Sequence, residues 1–161
     1  MSRVIYIMGV SGSGKTHIGE QLAEALQLPY FDADDFHPIE NIQKMKSGTP
    51  LTDNDRSQWL ATLHDLAHQH IEQGCVISCS ALKQQYRDIL TLSIHEKILW
   101  VYLKGTFEVI YQRMKNRKGH FMKPDMLTSQ FEILEEPQDA LEIDTTAAPE
   151  VIIEKIKKAI V

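Results

Sequence analysis

The chain has 161 residues, with seventeen Lys and Arg against twenty-two Asp and Glu for a formal charge of −5. That length supports one domain with a real hydrophobic core, and 43% hydrophobic with 24% charged residues is an ordinary globular composition. An acidic chain without a long basic stripe is a poor non-specific nucleic-acid binder, because such binding rests on neutralising phosphates. No apolar run approaches the roughly 20 residues of a membrane span. The N-terminus enters a strand-like segment without the charged and apolar regions of a signal peptide. The expected compartment is therefore the cytoplasm, with neither nucleic acid nor membrane as a partner.

Val4 to Met8 reads as a strand ending at Gly9. Ile18, Leu22, Ala25 and Leu26 follow at helical spacing, and the pattern stops before Pro29. Tyr30 and Phe31 lead into an acidic cluster, Asp32, Asp34 and Asp35. From Asp55, the residues Trp59, Leu63, Leu66, Ala67 and Ile71 mark an amphipathic helix closed by Gly74. Cys75 to Cys79 is a buried-looking strand, with Ser80 as a candidate cap for the next helix. Four residues of extended chain span roughly 13 Å, too far for these two cysteines to pair, so they read as small buried apolar residues.

Ile98 to Leu103 is a fourth strand, and Phe107, Ile110, Tyr111 and Met114 form the apolar face of a helix. A polar stretch from Lys115 to Lys123 interrupts the pattern. Pro124 opens another helix carrying Leu127, Phe131 and Leu134. Leu141 to Ile143 is a short last strand, and Pro149 opens a terminal helix with Ile152, Ile156 and Ala159. Strands alternating with helices predict βαβ units. The expected fold is one α/β domain over residues 1–161, a three-layer α/β/α sandwich around a five-stranded parallel sheet. A ligand then sits at the carboxyl ends of the strands.

Gly9-Val10-Ser11-Gly12-Ser13-Gly14-Lys15-Thr16 matches GxxxxGK[ST] without a mismatch, between a strand and a helix. Such a loop turns backbone N–H groups onto a phosphate chain, and the following helix adds its positive dipole end. Lys15 is expected at the β- and γ-phosphates of ATP and the Thr16 hydroxyl on Mg²⁺. If the chain stays extended, Asp32 and Asp34 point the same way. One could then hold Mg²⁺ through its waters, and the other could accept or orient the attacking hydroxyl proton. Arg113 and Arg117 share a helix face and could stabilise the charge of a transferred phosphoryl group. Lys118 to Met122 reads as a lid that excludes water.

These blocks together resemble the gluconokinase family of P-loop small-molecule kinases. The likeness covers nearly the whole chain: GVSGSGKT from Gly9, DADDFHPIENIQKMKSGTPLTDNDRSQWL from Asp32, CSALKQQYRDIL from Cys79, RMKNRKGHFM from Arg113 and SQFEILEEP from Ser129. One departure is Gln58, where the family usually has proline before the tryptophan. The resemblance implies an adenylate- or shikimate-kinase-like core, a lid over residues 113–125, a substrate region over residues 32–60, and usually a homodimer. It implies phosphorylation of D-gluconate at its 6-hydroxyl by ATP with Mg²⁺, with Asp32 on the metal, Asp34 on the substrate hydroxyl, and Arg113 and Arg117 in the lid. By analogy with related kinases, Asp144 to Ala148 and Arg113 flank the adenine.

A sugar acid needs a cation for its carboxylate and donor–acceptor groups for its hydroxyls. His37, Asn41, Lys44, Arg56, Lys83 and Arg87 are available, with Arg56 and Lys83 favoured for the carboxylate and His37 and His120 as further contacts. Shikimate kinase carries a Gly-Gly-Gly substrate loop, and no two glycines are adjacent here. Nucleoside monophosphate kinases fit on fold grounds alone, but the block from His37 to Leu60 does not look like theirs. A guanine-nucleotide switch would need NKxD and DxxG, and neither pattern occurs. His64 and His68 lie one helical turn apart but lack the glutamate and third ligand of a zinc site, so they read as surface polar residues.

Overall fold

A computed structural model describes residues 4–116 and 124–160. Five parallel strands, β1 (Val4–Met8), β2 (Tyr30–Asp32), β3 (Cys75–Ser78), β4 (Ile98–Lys104) and β5 (Leu141–Asp144), lie in the order β2-β3-β1-β4-β5. The three-layer parallel fold read from the sequence is the one observed. The helices are α1 (Lys15–Leu26), α2 (Ile39–Lys46), α3 (Asp53–Gln69), α4 (Gln84–Leu90), α5 (Phe107–Lys115), α6 (Pro124–Ile133) and α7 (Pro149–Ile160).

β1 is buried along its whole length and alternates between two cores. Val4, Tyr6 and Met8 pack with Trp59, Leu60 and Leu63 of α3 and with Tyr86 and Leu90 of α4. Ile5 and Ile7 pack with Ile18 and Leu22 of α1 and Ile152 and Ile156 of α7. Helices therefore cover both faces, which is what a continuous apolar parallel strand requires. A third cluster, Val10, Leu82, Ile110, Met114 and Leu127, lies beneath the loop after β1 and seats α5 and α6 against it.

Several local expectations are corrected. α3 starts at Asp53, because Thr52 and Asp55 form a reciprocal capping box. It ends at Gln69, and Gly74 lies in the turn beyond, its N–H donating to the His70 carbonyl at 2.6 Å. α2 was not anticipated: its Ile39, Ile42 and Met45 are exposed, so their spacing marks no buried face. Ser80 does not cap α4. That helix begins at Gln84, whose N–H donates to the Glu135 carboxylate at 2.7 Å. His64 contacts the Leu92 carbonyl at 2.8 Å through Nε2. No described helix is long and apolar enough to cross a membrane.

Cys75 and Cys79 are free and buried, and burial pushes both thiols up to about 12. At pH 8 that leaves on the order of one thiolate in 10⁴. Neither should react with a thiol-exchange reagent while the chain is folded, and both should titrate in denaturant. Rapid labelling of the native protein at either position would contradict this packing.

Candidate active site

β1 lies between β3 and β4, and β2 and β5 are the outer strands. The carboxyl end of β1 is thus the switch point at which open α/β sheets bind ligands, and the phosphate-loop motif follows it directly. Gly12, at φ +82°, has no room for a side chain, since a Cβ would meet Met114 Cγ at 2.7 Å. Gly14, at φ +95°, is the N-cap of α1 and supplies no side-chain acceptor to the first turn. The loop is left-handed where only glycine fits well, and the start of α1 keeps its positive end for an anion.

Lys15 Nζ donates to the Val10 carbonyl at 3.0 Å, so the ammonium is folded back over the loop. Burial pushes its pKa below the ordinary lysine value, while Asp34 and Asp32 pull the other way. The Ser11 N–H donates to Gln130 Oε1 at 2.8 Å, and Gln130 Nε2 donates to Ser11 Oγ at 3.0 Å. One carboxamide of α6 thus clasps the loop from 119 residues away. Sequence reasoning missed Gln130, because no local pattern announces so distant a partner. The Ser13 hydroxyl is buried and makes no hydrogen bond. Thr16 is exposed at the start of α1.

Beside the loop lies a cleft of about 460 Å³ lined by Gly12, Gly14, His17, Arg113, Thr145 and Ala147, among others. Arg113 donates to Thr145 Oγ1 at 2.8 Å and to the Thr145 carbonyl at 2.5 Å. Thr145 Oγ1 donates in turn to the Ser13 carbonyl at 2.5 Å. This chain fixes the loop against the end of β5 and brings Arg113 to the same cleft as the stretch after β5. Arg117 and His120 lie outside the described residues, as does the rest of the lid from 117 to 123.

The acidic cluster is not extended. Residues Ala33–Phe36 form a 3₁₀ turn, and Asp32 caps it by accepting the Asp34 N–H at 3.0 Å. The expected same-side projection of Asp32 and Asp34 from a strand is therefore corrected: the cap bends the chain at once. Both carboxylates still act on Lys15. Burial raises the Asp32 pKa, the Asp34 N–H lowers it, and the neighbouring Asp34 and Asp35 raise it further. The turn is tied to α3 by the buried Trp59, whose indole N–H donates to the Ala33 carbonyl at 2.7 Å.

Beyond the turn, Arg56 and Lys83, the two cations favoured for the substrate carboxylate, lie beside each other, one on α3 and one just before α4. Their cationic groups lie 5.4 and 5.5 Å from the centre of the Tyr86 ring. Both also approach Asp53 Oδ1, Lys83 at 3.3 Å and Arg56 at 3.8 Å. Tyr86 Oη donates to the same carboxylate at 2.6 Å and Gln85 at 3.0 Å. The Tyr86 and Lys83 hydrogen bonds hold Asp53 below the usual carboxylate range. Asp53 and Tyr86 were not singled out from the sequence. His37 stacks on Trp59, centroids 4.3 Å apart, and lies within the electrostatic reach of Arg56.

Three of the other available polar residues are engaged inside the protein. Lys44 pairs with Asp55 at 2.7 Å. The buried Asn41 bonds His37 and the Asp55 carbonyl. Arg87, 3% exposed, donates to the carbonyls of Ala81 and Glu135 at 2.6 and 2.7 Å. It locks the loop after β3 to the end of α6.

A phosphate loop at the switch point of a 2-3-1-4-5 parallel sheet, with carboxylates beside its lysine, defines a P-loop kinase. A family model described as shikimate kinase matches residues 11–160. The thermoresistant gluconokinase of Escherichia coli (strain K12) is 44% identical over 165 residues, covering 96% of this chain and 94% of that protein. A probable gluconokinase of Mus musculus is 47% identical over 152 residues and covers 83% of each. The crystal structure of a gluconokinase from Sinorhizobium meliloti 1021 superposes with a TM-score of 0.85 at 41% identity, covering 95% of this chain and 88% of that one. A shikimate kinase from Aquifex aeolicus vf5, at a TM-score of 0.63 and 16% identity, shares the fold. The chain belongs to the shikimate-kinase-like family and, within it, to the gluconokinases.

Proposed function

We propose that this kinase transfers the γ-phosphate of ATP to the 6-hydroxyl of D-gluconate, giving 6-phospho-D-gluconate and ADP. The observation that carries the substrate assignment is the pair Arg56 and Lys83, two cations that both approach one carboxylate, that of Asp53. Asp53 occupies them at present, and the carboxylate of a sugar acid offers them the same chemistry. Family membership supports the same substrate class, since the relatives named above are gluconokinases.

Gly9, Val10, Ser11, Gly12, Ser13, Gly14, Lys15 and Thr16 would hold the triphosphate. The backbone fits this: Gly12 leaves no space for a Cβ, and α1 opens without a side-chain acceptor. Thr16 and Asp32 would hold Mg²⁺; the Asp34 N–H donates to Oδ1 of Asp32, and among the described residues nothing bonds its Oδ2. The ion, when bound, neutralises charge on the phosphate oxygens. Asp34 would accept the proton of the 6-hydroxyl as its oxygen bonds to the γ-phosphorus and the bond to the bridging oxygen of ADP breaks. Arg113 and Arg117 would stabilise the charge on the transferred group and the nucleotide, and His37 and His120 would contact the substrate. The reading takes the protein as a cytoplasmic homodimer.

The regiochemistry is testable on the product. Incubation with Mg-ATP and D-gluconate should yield a phosphomonoester whose phosphorus couples to the C6 methylene protons in NMR. Phosphorus coupled to another carbon's proton, or no ester at all, overturns the assignment.

A further inference from the structure

We propose that Asn41 locks His37 as a neutral imidazole protonated on Nε2, so that His37 is a fixed hydrogen-bond donor to a hydroxyl oxygen of the substrate and not a proton acceptor. The inference rests on the gluconate-kinase reading of this site and assigns the residue that sets the state of one of its contacts.

The argument begins at the Asp55 backbone carbonyl, which can only accept. Asn41 faces it at 2.9 Å through Nδ2, and turning the amide over would bring two acceptor oxygens together. The orientation of the amide is therefore fixed by its partner. An amide nitrogen carries two hydrogens. The second points to His37 Nδ1, 3.2 Å away. Nδ1 must then present its lone pair, which places the ring's single proton on Nε2. Asn41 is 3% exposed, so no water competes freely for that amide.

The surroundings hold the same state. Trp59 covers one face of the ring at 4.3 Å with an interplanar angle of 13°. Burial lowers the His37 pKa, and the Arg56 guanidinium on α3 lowers it further. From α2 the neutral Asn41 amide meets the ring. Of the carboxylates in the preceding turn, Asp34 and Asp35 act on Asp32, and Asp32 and Asp34 act on Lys15. Protonating Nδ1 would break the Asn41 bond and put a second cation beside Arg56. Among the described residues nothing bonds Nε2, so its N–H is left for a ligand.

The chemical consequence is a division of labour. A ring whose outward nitrogen carries hydrogen cannot take the proton of an attacking hydroxyl, which leaves that task to Asp34. It can donate to an oxygen of a polyol chain, at a position where a deoxy analogue would offer nothing. Asn41 is a positioning residue, acting only through His37.

The test uses the full-length protein labelled with ¹⁵N-histidine, with His37 identified by the signal lost in H37Q. Long-range proton–nitrogen correlations should show a bare Nδ1 and a protonated Nε2, persisting at about pH 6, where an ordinary imidazole of pKa ≈ 6.5 is mostly charged. A proton on Nδ1, or titration at or above the ordinary value, overturns the inference. The kinetic arm compares H37L with H37Q, whose side-chain amide restores an N–H near the Nε2 position. H37L should raise the gluconate KM about 3–10-fold, the range for one neutral hydrogen bond, with kcat changed less, and H37Q should recover most of that loss. A fall in kcat of more than about 100-fold at unchanged KM would instead mark His37 as a base and sink the proposal. If gluconate is not an acceptor at all, the substrate reading fails while the NMR result still decides the tautomer. If gluconate is turned over but Nδ1 is protonated, only the inference fails.

Discussion

Lys15→Ala is expected to lower kcat by about 10²–10³-fold, the cost of losing one preorganised donor to a developing oxyanion. Lys15 is the cation nearest the cradle that the sequence and the fold agree on, and its Nζ now rests on the Val10 carbonyl at 3.0 Å. That bond is a parking position. A phosphate chain in the loop offers the ammonium an anionic acceptor in place of a neutral carbonyl, which adds an ion pair to the hydrogen bond. Burial already disfavours the charged amine, with Asp34 and Asp32 opposing that effect, so an incoming phosphate compensates a charge the protein holds at a cost. The loss should fall mainly on kcat, because the charge being stabilised grows in the transition state. The fold should persist, since the loop is held independently by Gln130 and by the Arg113–Thr145–Ser13 chain. A variant with near-normal kcat and an unchanged melting temperature would sink the phosphate-cradle assignment.

Asp34→Asn should cut the rate of transfer by about 10²–10⁴-fold, the usual contribution of a positioned general base, while leaving ATP affinity within a few-fold. The reasoning is electrostatic as well as chemical. Asp34 is the first carboxylate acting on Lys15, so neutralising it does not weaken the pull of the loop on phosphate. An amide in its place can still orient a hydroxyl but cannot take its proton. Asp32 is the cap of the turn, and a change there disturbs the backbone, which makes Asp34 the cleaner probe. Equilibrium nucleotide titration beside single-turnover kinetics separates the two effects. If ATP affinity in the presence of Mg²⁺ collapses with the rate, Asp34 serves the metal and not the substrate.

The parts of this molecule that local chemistry dictates were legible in its residues. β1, the glycine loop and α1 follow from an apolar run, a phosphate motif and a helical stripe, all within 26 residues. The parallel sheet follows from the alternation of strands and helices. The acidic turn misled for a physical reason: three aspartates at the end of a strand look extended until Asp32 is seen to take the Asp34 N–H. α2 escaped notice because its apolar residues are exposed, so periodicity there reports no core. The Thr52–Asp55 capping box was present in the letters but precedes the apolar stripe, which becomes clear only from Trp59.

Within the site, Arg56 and Lys83 could be picked out from their blocks as candidate cations, but neither their closeness nor the Asp53 and Tyr86 that hold them could be read there. Asp53 and Tyr86 are 33 residues apart. Arg87 shows the converse. It sits in a block rich in candidate contacts, yet its partners are backbone carbonyls, one of them 48 residues away. A carbonyl has no signature in a sequence. Cations that serve the fold and cations that serve a ligand therefore look alike until their acceptors are known.

The measurement that bears most directly on the central claim is ADP release with Mg-ATP across a panel of acceptors: D-gluconate, other sugar acids, the corresponding neutral alditol, shikimate and nucleoside monophosphates. The account predicts strong turnover with gluconate, little with the alditol that lacks the carboxylate for Arg56 and Lys83, and none with shikimate or the nucleotides. Turnover of the alditol equal to that of gluconate, or activity confined to another acceptor, would contradict it, leaving the kinase fold in place and the substrate pocket misread.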